Sequence, residues 1–85
     1  MRICFSAEGW EDYLYWQKEN QATLTKINSL IRDIRSDPSE RGMGKAERLK
    51  GELGGYLSRR INGEHRLVYR ISDDSVTVIQ CRFHY

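Results

Sequence analysis

Three side chains in the second half of this 85-residue chain are of the type that moves protons near neutral pH: Glu47, His65 and His84. They are interleaved with cations, Arg41, Lys45, Arg48, Lys50, Arg59, Arg60, Arg66, Arg70 and Arg82, against five acidic residues, so residues 41–85 carry a net charge of +4. Residues 1–40 hold five basic and seven acidic groups, a net of −2, and the overall +2 conceals two unlike halves. A cationic half suits a phosphate-bearing partner, because each neutralised phosphate releases counterions and the field steers the encounter.

A carboxylate, an imidazole and several guanidinium groups are sufficient, without a metal, for one reaction on RNA. A base takes the 2′-hydroxyl proton, an acid protonates the leaving 5′-oxygen, and cations stabilise the charge that builds on phosphorus. Histidine titrates nearest to neutral pH, and a tyrosine such as Tyr85 stacks on a base or donates to a phosphate. Each group also has a plainer reading. Surface arginines are commonly solvated strand faces, and a single histidine is more often a hydrogen-bonded structural residue. His84 differs because the aromatic-rich run Cys81-Arg82-Phe83-His84-Tyr85 carries no polar tail, from which we expect this end to pack into a specific place. A protein that only occupied RNA through its arginines would need no base and acid, so the two readings differ in Glu47 and His84.

The elements that must position these groups can be read from periodicity. A short strand is expected at 2–5, with Ser6 as N-cap of a helix over 7–19 and Glu8 and Glu11 in its first turn. Trp10, Tyr13, Leu14 and Gln17 fall at helical spacing, with Trp10 and Tyr13 expected in the core, whereas Tyr15 and Trp16 leave that stripe and are expected on a partner-binding surface. A second helix over 22–36 carries Leu24, Ile27, Leu30, Ile31 and Ile34 and stops at Asp37-Pro38, completing an αα-hairpin. Residues 39–45 form a polar loop with no phosphate-cradling frame.

Beyond the loop, 56–61 alternates, Asn62-Gly63 marks a hairpin, 66–72 returns, Asp73-Asp74 turns again, and 75–83 forms a last strand. Helices followed by an antiparallel meander give an α+β fold, two N-terminal helices packed on one face of a small twisted sheet. On the first hairpin strand Leu57, Arg59 and Ile61 share one side and Tyr56, Ser58 and Arg60 the other. A two-residue turn would set Arg59 opposite Arg66, and a three-residue turn would set Arg60 there. In either register two guanidinium groups meet on one face, which is unfavourable unless an anion lies between them.

The composition closes off other classes. Eighty-five residues leave room for a single domain, 1–85, with one thin core and not for a cofactor-binding α/β enzyme. No apolar run approaches the length that spans a bilayer, and the N-terminus lacks a signal-peptide pattern, so a cytoplasmic protein without membrane contact is expected. Cys4 and Cys81 form no CxxC or metal-ligand cluster and are expected to be small buried residues, with no disulfide, metal or cofactor.

Four segments together carry a resemblance. Glu47-Arg48-Leu49-Lys50, Gly55-Tyr56-Leu57-Ser58-Arg59-Arg60-Ile61, Glu64-His65-Arg66-Leu67-Val68-Tyr69 and Cys81-Arg82-Phe83-His84-Tyr85 closely resemble the YoeB (Txe/YoeB) toxins of the RelE superfamily, and the likeness extends to Trp10-Glu11-Asp12-Tyr13-Leu14-Tyr15-Trp16. The resemblance implies a microbial-RNase-like fold and the toxin of a type II toxin–antitoxin system. Such a toxin cuts mRNA in the ribosomal A site without a metal and is held inactive by a YefM-like antitoxin; whether it forms a homodimer is left open. It further implies Glu47 as general base, His84 as general acid, Arg66 as stabiliser of phosphate charge, and Tyr85 as a substrate-orienting residue. Lys50 and Arg60 correspond to basic positions near the scissile phosphate, with Arg59 and Lys45 as further RNA contacts, and the role of Arg60 favours the three-residue turn. Two departures stand out. The family's Lys-Pro-Glu-Pro-Leu is here Lys45-Ala46-Glu47-Arg48-Leu49, which predicts a looser backbone around Glu47, and Leu57 stands where Trp is common.

Overall fold

The computed structural model describes residues 1–39, 42 and 44–83. Strand β1 (Arg2–Phe5) leads into helix α1 (Ala7–Glu19), helix α2 (Gln21–Ser36), strand β2 (Glu47–Arg48), a single 3-10 turn (Gly51–Leu53) and strands β3 (Leu57–Arg60), β4 (Arg66–Ser72) and β5 (Ser75–Gln80). The five strands form one sheet in the order β1-β5-β4-β3-β2. All neighbours are antiparallel except β1 and β5, which run parallel with Arg2 opposite Ser75. The sheet is therefore mixed, and the meander expected from sequence gains a parallel edge from the N-terminus and a short strand at Glu47–Arg48. The fold is α+β, with the helices on one sheet face.

Local chemistry accounts for the helix ends. The Ser6 hydroxyl accepts from the Gly9 amide at 3.0 Å, and Asn20 serves both helices, closing α1 with its N–H on the Trp16 carbonyl and capping α2 by accepting from Thr23 at 3.1 Å. α2 buries Leu24, Ile27, Leu30, Ile31 and Ile34, the stripe read from its spacing. α1 behaves differently. Its buried residues are Gly9 and Trp16, while Trp10 and Leu14 remain exposed. The reason is the close approach of α1 to β5: a Cβ at Gly9 would run into the Val78 carbonyl, and that contact turns the Gly9 and Trp16 side of the helix to the sheet. Trp16 is thus a core residue and not a partner surface, and Tyr13 is only half-buried, its hydroxyl donating to Asn28 at 2.8 Å.

On the helix-facing side of the sheet, Ile61, Leu67, Tyr69, Val76 and Val78 join the helices in one core. β5 ends at Gln80, earlier than its apolar pattern suggests. Between Val68 opposite Gln80 and Tyr69 opposite Val78 the register shifts by one residue, a bulge that bends the strand just before it stops. Cys81 is fully buried and its thiol is pushed up to about 12 by burial and by the nearby Asp12 charge, whereas Cys4 is only half-buried; both are free. Among the described residues no helix is long and apolar enough to cross a membrane.

Candidate active site

The hairpin register decides which arginines meet. Arg60 pairs with Arg66, and the Ile61 amide donates to the His65 carbonyl at 3.0 Å, closing a three-residue loop over 62–64. Arg60 and Arg66 consequently stand side by side on the face away from the helices, with Ser58 two residues along β3 and Glu47 opposite Ser58 on β2. The Nη1 of Arg66 lies 3.4 Å from Glu47 Oε1 and 3.5 Å from Ser58 Oγ. The Arg66 side chain is 12% exposed and that of Glu47 53%, so a largely enclosed cation is presented beside an accessible carboxylate. Glu47 offsets Arg66; among the described residues no ion pair involves Arg60, which is exposed.

The missing prolines do not leave Glu47 on an unpaired loop. Residues 47 and 48 are laddered to β3, and the Leu49 amide donates to the Tyr56 carbonyl at 3.0 Å, so strand pairing does the positioning that rigid residues would otherwise do. Leu57 packs against the core on the helix side, which keeps the change at that position away from the Glu47–Arg66 face.

Arg59 is a correction. Pairing with Leu67 turns its side chain into the interior, where it is fully buried. Its guanidinium lies 2.6 Å from Asp33 Oδ2, donates through Nη2 to the Ser39 carbonyl at 3.0 Å and through Nε to the Tyr69 hydroxyl at 3.0 Å. It ties α2 and the following loop to the sheet and presents no donor to RNA. Lys45, in a left-handed conformation (φ 49°), lines a separate hollow with Lys26, Gly44, Arg60 and Ile61, and so meets the Glu47–Arg66 cluster only through Arg60. Lys50 is exposed at the start of the 3-10 turn, two residues beyond β2. His84 and Tyr85 lie outside the described residues.

The described chain leads to them through a tightly held segment. The Cys81 amide donates to Asp12 Oδ2 at 3.1 Å, the Trp16 indole donates to the Cys81 carbonyl at 2.7 Å, and Gln80 Nε2 donates to the Arg82 carbonyl at 3.0 Å. Burial raises the Asp12 carboxyl above its ordinary range, an effect opposed by the Cys81 hydrogen bond and the Arg82 charge. Arg82 lies 3.6 Å above the Tyr15 ring, which gives Tyr15 a partner within its own chain. The Phe83 amide donates to His65 Nδ1 at 2.7 Å, and the Arg66 amide donates to the Phe83 carbonyl at 3.1 Å. The sequence pattern gave no role to Ser58 or Asp12 and set Trp16 on a partner surface; for Ser58 the signal was present, since alternation puts it on the Arg60 side. Among the described residues no three His, Cys, Asp or Glu side chains converge in a group that could hold a metal ion.

Comparison with known proteins adds an independent line. The profile described as the YoeB-like toxin of bacterial type II toxin–antitoxin systems matches residues 5–85. Toxin YoeB of Escherichia coli K12 is 52% identical over the whole of both chains. Among solved structures, a YoeB/ParE toxin from Agrobacterium tumefaciens superposes with a TM-score of 0.95 at 47% identity over all of both chains. From Staphylococcus aureus, the YoeB–YefM complex matches at 0.92 and 45% identity and a YoeB dimer at 0.93 and 44% identity, each over all of this chain and 98% of the other.

Proposed function

Since the chain belongs to the YoeB-like toxins of bacterial type II toxin–antitoxin systems, we propose that it is a ribosome-dependent, metal-independent endoribonuclease that cuts mRNA in the A site and stops translation. The observation that carries this reading is the Glu47–Arg66 contact of 3.4 Å with Arg60 directly across the ladder from Arg66. A binding surface needs cations; a carboxylate set against one of them is what proton abstraction beside a phosphate needs.

In this reading Glu47, as base, takes the 2′-hydroxyl proton while the 2′-oxygen attacks phosphorus. His84, as acid, gives a proton to the 5′-oxygen as the P–O5′ bond breaks. The products are a 2′,3′-cyclic phosphate, or the 3′-phosphate from its hydrolysis, and a 5′-hydroxyl. Arg66 stabilises the phosphorane. Guanidinium carries five N–H donors, and the contacts to Glu47 and Ser58 both use Nη1, which leaves Nε and Nη2 for the oxyanion. Arg60 and Lys50 hold the flanking backbone, Lys45 extends the cationic track, and Tyr85 orients a base. The small site is completed by the ribosome, which holds the RNA in line.

The single domain, 1–85, works in the cytoplasm and is silenced by a YefM-like antitoxin whose acidic segment covers the cationic face. The exposed apolar residues Ile3, Trp10 and Leu14 are available for self-association, and the similar Staphylococcus aureus protein forms a dimer. The test is a reporter mRNA translated in a purified system. New RNA ends at the A site that disappear with His84→Ala are expected; arrested translation without new ends, retained in that variant, would favour a non-catalytic blocker of the ribosome.

A further inference from the structure

Residues 81–83 lie beyond the last strand, yet almost every backbone polar group in them is engaged. The Cys81 N–H and C=O, the Arg82 C=O and the Phe83 N–H and C=O are held by Asp12, Trp16, Gln80, His65 and Arg66 respectively. With no ladder of its own, the segment depends on side chains and backbone of other elements to satisfy these groups, which ties its path to theirs. Phe83 also adopts φ 65°, a left-handed conformation that a bulky aromatic residue rarely takes and that persists only when its surroundings enforce it.

The shortest of the contacts that hold Phe83 comes from His65. The imidazole is buried, stands edge-on to Trp16 with ring centroids 4.7 Å apart, and faces Phe83 at 5.5 Å. Its Nε2 lies 3.2 Å from Glu64 Oε1. A proton on Nε2 is therefore directed at a carboxylate, and the lone pair on Nδ1 is left to accept the Phe83 amide at 2.7 Å. An acceptor at that point cannot be supplied by an apolar core residue of the same size.

We propose that His65 is a positioning residue for the cleavage reaction: its Nδ1 captures the Phe83 amide and fixes the backbone immediately before His84 and Tyr85, beside the strand that carries Arg66. The geometry makes this economical, because residues 65 and 66 grip opposite sides of Phe83 while the Arg66 side chain reaches Glu47. One dipeptide thus links the carboxylate on β2 to the segment carrying the acid. The assignment rests on the functional reading above for what His84 does, but the grip on Phe83 does not.

Two kinds of measurement separate these. In the wild-type protein, a 15N–15N coupling across the hydrogen bond from the Phe83 amide to His65 Nδ1 is expected, and its absence would overturn the proposal whether or not the protein cuts RNA. For the reaction, His65→Phe keeps a ring against Trp16 without the acceptor, and His65→Asn restores an acceptor near the Nδ1 position. Single-turnover cleavage on programmed ribosomes should fall about a hundredfold at saturation for His65→Phe, with half-saturation unchanged, and recover most of that loss in His65→Asn. Wild-type cleavage by folded His65→Phe, or equal loss in both variants, would overturn it. If His65→Phe does not fold, the coupling and the His65→Asn rate decide.

Discussion

Nη1 of Arg66 lies 3.4 Å from Oε1 of Glu47, across two strand-to-strand steps of the sheet. That separation is longer than a usual charge-assisted hydrogen bond, so the pair is placed together without being locked. The carboxylate is more than half exposed and within reach of a substrate hydroxyl, while the guanidinium is nearly enclosed. Arg66→Ala should consequently lower the cleavage step about a hundredfold or more, with ribosome binding little changed. Arg66→Lys should recover only part of this, because an ammonium keeps the charge and loses the planar fork. Single-turnover rates at saturating ribosomes check both.

Arg59 and Arg60 are sequence neighbours with opposite fates, and substitution should separate them. Arg59→Ala removes a fully buried side chain together with its contacts to Asp33, Ser39 and Tyr69 and is expected to cost about 2–3 kcal/mol of stability in a urea or thermal melt. Arg60→Ala should leave the melt within about 0.5 kcal/mol of wild type and weaken RNA engagement, with a shallower dependence on salt.

Gly9→Ala would ordinarily help a helix by removing backbone freedom. Here the added methyl meets the Val78 carbonyl of β5, so the outcome is reversed and a loss of about 1–3 kcal/mol is expected by thermal unfolding.

Asp12 gives stability a defined pH dependence. Burial raises its folded-state pKa above the ordinary 3.8, so the folded chain holds this proton more tightly than the unfolded one. Its contribution is full below pH 3.8 and is lost as pH rises through the elevated value. Asp12→Asn, which keeps an acceptor for the Cys81 amide, should flatten that part of the stability profile and leave the protein at least as stable at neutral pH. Melting temperatures of the two proteins across the acid range measure the difference.

The two thiols should react in a fixed order. Cys81 is fully buried with its pKa pushed up to about 12, and it lacks the thiolate that alkylation needs. Iodoacetamide at pH 8 is expected to label Cys4 in the folded protein and Cys81 only after denaturation, as read by peptide mass mapping.

Much of this arrangement was legible in the residues. The α2 stripe and the polar face of β3 follow from periodicity and pleat, which are local properties, whereas the pleat leaves either Arg59 or Arg60 opposite Arg66 and only the family resemblance favoured the three-residue loop that pairs Arg60 with Arg66. What was not legible depends on contacts far apart in sequence. Trp10 and Tyr13 have core spacing, but the approach of Gly9 to β5, 69 residues away at Val78, turns α1 so that Trp16 is buried instead. Arg59 reads as one more surface cation until Asp33, 26 residues earlier, is seen to receive it. The parallel pairing of β1 with β5 and the two-residue strand at Glu47–Arg48 likewise depend on tertiary neighbours. The four segments that carry the family resemblance were readable in order, whereas the hold of His65 on Phe83 joins residues 18 apart in sequence that no periodicity brings together.

The central claim is that Glu47 removes the 2′-hydroxyl proton while Arg66 steadies the phosphorane. The most direct test is the end chemistry of mRNA cut on purified translating ribosomes by wild type and by Glu47→Gln, which keeps shape and loses the base. Wild type should give 5′-hydroxyl ends paired with 2′,3′-cyclic or 3′-phosphate ends, and Glu47→Gln should give the same ends at least a hundredfold more slowly. Ends bearing a 5′-phosphate, or an undiminished rate in Glu47→Gln, would contradict the account.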